Sequence, residues 1–161
     1  MEAKEKRLGR SSTILLLEDI EADVFLFRRM LGKLDFMGQV RVAENGTVAK
    51  SYLLGWGDFG DRIYYPMPKL IVADIKMPRM SGIEFLEWYR DQHFFESIPL
   101  VVFSGSQLDE DRDRALSLGA TRYFVKTGDF PELLRRGREI LALLPDMDGD
   151  GENGDSREAI A

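Results

Sequence analysis

Three acids and a lysine stand directly after short apolar runs: Glu18 and Asp19 after "TILLL", Asp74 after "LIVA", and Lys126 after "YFV". Ser104 follows "LVVF" in the same way. A carboxylate at the tip of a buried strand is expensive unless something there uses its charge. If the fold brings these ends together, three carboxylates share one pocket. Two like charges about 5 Å apart repel by roughly 3 kcal/mol at an effective dielectric of about 20. Such a pocket takes up protons or holds a cation. Lys126 supplies one positive charge and leaves two negative charges over, a deficit that a divalent cation closes. An all-oxygen donor set suits Mg²⁺. A hard cation beside a carboxylate points to phosphoryl transfer, with Asp74 as the nucleophile. Ser104 is then placed to donate a hydrogen bond to the phosphoryl group and Lys126 to pair with its oxygens. Gly105, with no side chain, leaves the approach open.

The elements that must position these residues are legible in the hydrophobic pattern. Strand character is expected at Thr13–Leu17, Gln39–Ala43, Leu70–Ala73, Leu100–Phe103 and Tyr123–Val125. Three of these runs are apolar without alternation, as strands covered on both faces are. Ile20, Val24, Phe27, Leu31 and Leu34 share one face of a first helix, and Leu133, Leu134, Gly137, Ile140, Leu141 and Leu144 one face of the last. Asp129 with Glu132 has the spacing of a capping box at the start of that last helix. Shorter helices are expected at Thr47–Leu54, Ile83–Asp91 and Asp109–Leu118. Five strand–helix alternations favour an α/β fold with a doubly wound parallel sheet and helices on both faces. In such sheets, sites form outside the carboxyl ends of strands where the strand order reverses.

Bulk properties narrow the class. The chain has 161 residues, enough for one domain with a fair-sized core, and its net charge of −6 argues against a nucleic-acid backbone as partner. With no cysteine and a single histidine, His93, disulfides, thiolate metal sites and most His-based triads are excluded. No stretch approaches the ~20 apolar residues of a membrane span, and the start does not read as a secretion signal, so a cytoplasmic location is the default. Residues 1–11 read as a flexible segment and residues 145–161 as a disordered acidic tail around one folded unit, residues 12–144. In the tail Asp146, Asp148, Asp150 and Gly151 match the opening of a calcium loop, but Arg157 stands where its bidentate glutamate belongs. The Gly55–Pro68 connection, rich in Gly, Pro and aromatic residues, is expected to pack down on the fold.

The set "LLLED", "LIVADIKMPRMSG", "VVFSG" and "GATRYFVK" resembles the receiver domain of two-component response regulators over about residues 12–144. The resemblance implies a flavodoxin-like sheet of order 2-1-3-4-5 with five helices. It implies that Asp74 is the phosphoacceptor, charged by a histidine kinase or a small phosphodonor. Glu18 and Asp19 resemble the acidic pair that holds Mg²⁺, and the main-chain carbonyl of Lys76 resembles the remaining protein ligand beside Asp74. Ser104 and Tyr123 resemble the switch pair, while Lys126 resembles the lysine that contacts the phosphoryl oxygens. The implied protein is a phosphoacceptor switch rather than an enzyme, single-domain, with output through protein contacts to an unidentified target. The long Gly55–Pro68 connection is similar to that of regulators serving phytochrome-type kinases.

One departure concerns the turn after Lys126. Thr127 stands where the family usually has a proline, often after a cis bond. A cis bond before a non-proline residue costs about 3–4 kcal/mol, so a trans turn and a less well placed Lys126 are expected. This keeps open a degenerate receiver that binds partners without phosphorylation. A nucleotide or flavin binder would want a phosphate-cradling loop after the first strand, where "LEDIEAD" is acidic. A hydrolase of the aspartate-phosphatase kind needs a second carboxylate two residues after the nucleophile, where Lys76 stands. Phe25, Leu26 and Met30 lie beyond the narrow core stripe of the first helix, a surplus that would suit self-association.

Overall fold

The computed structural model describes residues 12–145. The strands are β1 (Thr13–Leu17), β2 (Gln39–Ala43), β3 (Leu70–Ala73), β4 (Leu100–Ser104) and β5 (Arg122–Val125). The helices are α1 (Glu21–Lys33), α2 (Gly46–Leu54), α3 (Gly82–Arg90), α4 (Asp109–Ser117) and α5 (Phe130–Leu141). All strand pairs are parallel, in the order β2-β1-β3-β4-β5. The expected doubly wound sheet is therefore present, with its reversal between β1 and β3.

Two apolar clusters explain why the central strands carry no polar alternation. Leu15, Leu17, Ile71, Ala73 and Val102 face one cluster with Tyr52, Leu53, Phe85 and Leu86. Ile14, Leu16, Leu70, Val72 and Val101 face the other with Phe27, Met30, Leu133 and Ile140. Successive strand residues point to opposite faces, so both faces need apolar side chains. β2 is an edge strand of mixed exposure, which is why its sequence, QVRVA, is the most polar of the five.

Local chemistry departs from expectation at two helices. Asp129 is the N-cap residue of α5, but its side chain makes no capping bond. Glu132 is drawn instead to Arg135 Nη2 at 2.5 Å and Arg136 Nε at 3.2 Å, so the capping box does not close. On α1 the apolar surplus is smaller than its helical stripe suggests. Met30 is fully buried and Leu26 packs on the second cluster, leaving Phe25 as the exposed ring. The cause is α5: Gly137 lets the two helices approach so closely that a Cβ there would lie 2.7 Å from Met30 Sδ.

The Gly55–Pro68 connection packs down in part. Phe59 and Tyr65 lie on the first cluster against Tyr52, whose hydroxyl donates to Pro66 O at 2.7 Å. Arg62 donates to Tyr52 O and Leu53 O at 2.8 and 2.9 Å and so pins the connection to the end of α2. Trp56 and Tyr64 remain exposed. The expected flexible segment at residues 1–11 and the acidic tail beyond Pro145 lie outside the described residues. Among the described residues no helix is long and apolar enough to cross a membrane.

Candidate functional site

Strand register brings the first acids together. Leu17 of β1 pairs with Ala73 of β3, so Glu18 and Asp74 each follow one residue beyond a matched pair. The backbone holds both turns: Asp74 N–H donates to Leu17 O and Glu18 N–H to Ala43 O, each at 3.0 Å. Lys126 arrives from β5, its N–H donating to Ser104 O at 2.8 Å. Its ammonium then reaches three carboxylates, with Nζ 2.6 Å from Glu18 Oε2, 2.8 Å from Asp23 Oδ2 and 2.7 Å from Asp74 Oδ2. The peptide bonds of the described residues are all trans, and Lys126 is well placed with Thr127 after it. Thr127 Oγ1 accepts from Asp129 N–H at 3.2 Å, which ties that turn to the start of α5.

The electrostatics follow from burial. Glu18 is 3% exposed and Asp74 6%. Burial raises the Glu18 carboxyl above its usual range, against the Lys126 hydrogen bond and charge, which pull it down. Burial would lower the Lys126 ammonium, but hydrogen bonds to Asp23, Asp74 and Glu18 outweigh it and hold the group protonated well beyond the ordinary lysine range. Oxygens of Glu18, Asp23 and Asp74 lie within 4.8 Å of one another, a donor set that fits a hard divalent cation. Asp19 is exposed and stands outside that group.

The remaining expected residues lie around this cluster. Lys76 is exposed, and its backbone N–H donates to Asp74 Oδ1 at 3.2 Å. Ser104 is buried, and its Oγ accepts from Ser106 N–H at 3.2 Å. Tyr123 packs on the first apolar cluster, and its hydroxyl donates to Ser106 O at 2.9 Å. Ser106 thus touches both members of the expected switch pair, and its own hydroxyl meets Asp111 of α4. Gly105 is exposed, and a Cβ there would meet nothing within 4 Å. His93 lies elsewhere, exposed and 2.6 Å from Glu96. Asp23 was not among the residues picked out by strand ends. It sits in the first turn of α1, past the strand end, and no strand-end pattern in the sequence marks it.

Backbone packing explains the glycine of "RMSG". Gly82 N–H donates to Ile75 O at 2.9 Å, and a Cβ on Gly82 would lie 2.0 Å from Asp74 O. The start of α3 therefore presses on the backbone of Asp74 itself. Ser81 caps the helix by accepting from Glu84 N–H at 3.2 Å. A lysine paired with the buried Asp74 carboxylate and a close-packed turn beneath it hold that carboxylate in one geometry.

Comparison with known proteins agrees with this geometry. The family model "Response regulator receiver domain" matches residues 14–138. The probable methanogenesis regulatory protein FilR2 of Methanothrix harundinacea is 32% identical over 127 residues, 79% of each chain. The phosphorylated cyanobacterial phytochrome response regulator RcpA superposes with a TM-score of 0.75 at 25% identity, covering 83% of this chain and 94% of that one. The Mn²⁺-bound form of response regulator Rcp1 gives 0.73 at 26%, covering 84% and 99%; Rcp1 is a protein of Synechocystis. With a family match over most of its length and the same sheet order, the chain belongs to the response regulator receiver domain family of two-component systems.

Proposed function

We propose that this receiver is a phosphorylation-driven switch with Asp74 as its phosphoacceptor and a histidine kinase as its phosphodonor. The observation that carries the reading is the meeting of Asp74 Oδ2 with Lys126 Nζ at 2.7 Å beside the buried Glu18. In the step, an Asp74 carboxylate oxygen attacks the phosphorus of a phosphohistidine or acyl phosphate. The new P–O bond forms as the bond to the leaving imidazole or carboxylate breaks, and the imidazole takes up a proton. Lys126 stays within reach of the new phosphoryl oxygens, and Ser104 is the hydroxyl donor on the neighbouring strand. Mg²⁺ is the cation proposed for the cluster, and when bound it neutralises charge on the transferring oxygens. Glu18 and Asp74 of the cluster would hold it together with Asp19, which stands outside the cluster, and the Lys76 carbonyl.

The phosphoryl group adds close to two negative charges and three acceptors beside Ser104. Ser104 and Tyr123 both contact Ser106, so a shift of either is passed to the β4–α4 turn. The output is an altered protein-contact surface. The proposal of a phytochrome-type kinase is supported by the likeness to RcpA and to the bacteriophytochrome response regulator RtBRR, with a TM-score of 0.71 at 30% identity. Incubation with an acyl phosphate and Mg²⁺ tests the reading by whole-protein mass. A Mg²⁺-dependent gain of one phosphoryl group, absent in Asp74→Asn, is expected. An unmodified wild-type protein would favour the degenerate receiver that binds partners without phosphorylation.

A further inference from the structure

Asp23 is the acid of the cluster to which phosphoryl transfer gives no role. Its Oδ2 lies 2.8 Å from Lys126 Nζ, as close as the other two carboxylates are to within a few tenths of an ångström. Because the three oxygens lie within 4.8 Å of one another, the ammonium and a divalent cation draw on the same donors. Asp23 differs from its neighbours in burial. The Glu18 and Asp74 side chains are 3% and 7% exposed, that of Asp23 33%. Asp23 and Lys126 also line a common cavity of about 280 Å³, whose apolar surface includes Leu26, Phe27 and Phe103.

We propose that Asp23 is a positioning residue that acts through Lys126, holding the ammonium on the α1 side and leaving Glu18 and Asp74 available to the divalent cation. This role rests on the metal-dependent switch proposed above. The physical reason is competition for charge. Without Asp23 the ammonium has only the two buried carboxylates, where attraction is least screened, and a cation entering there must displace it. With Asp23 present, the ammonium keeps a partner on the solvent side. The cavity meanwhile gives its methylene stem apolar surroundings.

Calorimetric titration of the full chain with Mg²⁺, in a double-mutant cycle, tests this. Asp23→Asn is expected to weaken Mg²⁺ binding by about fivefold, the order of losing the partly exposed Asp23–Lys126 ion pair so that the ammonium falls back on Glu18 and Asp74. Lys126→Met is expected to tighten it by removing the competitor. In the Lys126→Met background, Asp23→Asn should change binding less than about twofold, because the group through which Asp23 acts is gone. Asp23→Glu, which keeps the charge, should restore most of the affinity. Lys126→Gln serves the same cycle should Lys126→Met fail to fold. An equal loss in both lysine backgrounds makes Asp23 a ligand in its own right and overturns the proposal, as does an Asp23→Asn protein that binds like wild type. A wild-type protein that takes up no Mg²⁺ overturns the switch and this role together.

Discussion

Glu18 is an anion kept where an anion is disfavoured. Its raised pKa means that the folded chain binds the proton more tightly than the unfolded chain does. Its contribution to stability is therefore fully present below the ordinary carboxylate range and is lost as pH rises through the folded pKa. Glu18→Gln should raise the Tm of the metal-free protein at neutral pH, because the amide carries no charge for burial to penalise. The gain should fade in acid, where wild-type Glu18 is protonated, and thermal melts across that range check it. For Lys126 the same sign rule puts the loss at the alkaline end, beyond the ordinary lysine range, so its ion pairs are intact at neutral pH. At this scale Glu18, Asp74, Ser104 and Lys126 were legible because each ends a strand. Asp23 was not, since only the first turn of α1 folds it back over the strand ends.

Among the elements, the junction of β3 and α3 is the least forgiving. Gly82→Ala would drive a methyl group into the carbonyl of Asp74, and overpacking of that kind costs about 3 kcal/mol. The variant should show that loss in denaturant melts. It should also be phosphorylated more slowly by an acyl phosphate, because the displaced atom belongs to Asp74. Strand positions were read within a residue or two from apolar runs, which follows from burial of both faces in the middle of the sheet. The α5 start was read correctly at Asp129 but its capping box was not, because capping depends on which partner wins. Glu132 has two arginines within reach, and charge-assisted bonds outcompete a backbone N–H. The α1 surplus was misread because helical periodicity does not reveal that a glycine on another helix permits close approach.

Across the whole molecule, stability and contact surface are separate assets. Phe85 is fully buried among Trp88 and Tyr89, and Phe85→Ala should cost about 3–5 kcal/mol. Phe94 is 93% exposed on a neighbouring turn, and Phe94→Ala should change stability by less than about 0.5 kcal/mol. Denaturant midpoints of the two variants make the comparison directly. The sheet order was legible from five strand–helix alternations. The fate of the Gly55–Pro68 aromatics was not, because Phe59 and Tyr65 are partly buried against Tyr52 of α2 while Trp56 and Tyr64 are left exposed.

The proposed switch turns on one carboxylate, Asp74, and peptide-level mass spectrometry after reaction with an acyl phosphate and Mg²⁺ interrogates it most directly. The phosphoryl group should be found on the peptide carrying Asp74, as an acid anhydride that hydroxylamine removes. A label on His93, on Ser104 or on any other peptide, or a stable label untouched by hydroxylamine, would contradict the account.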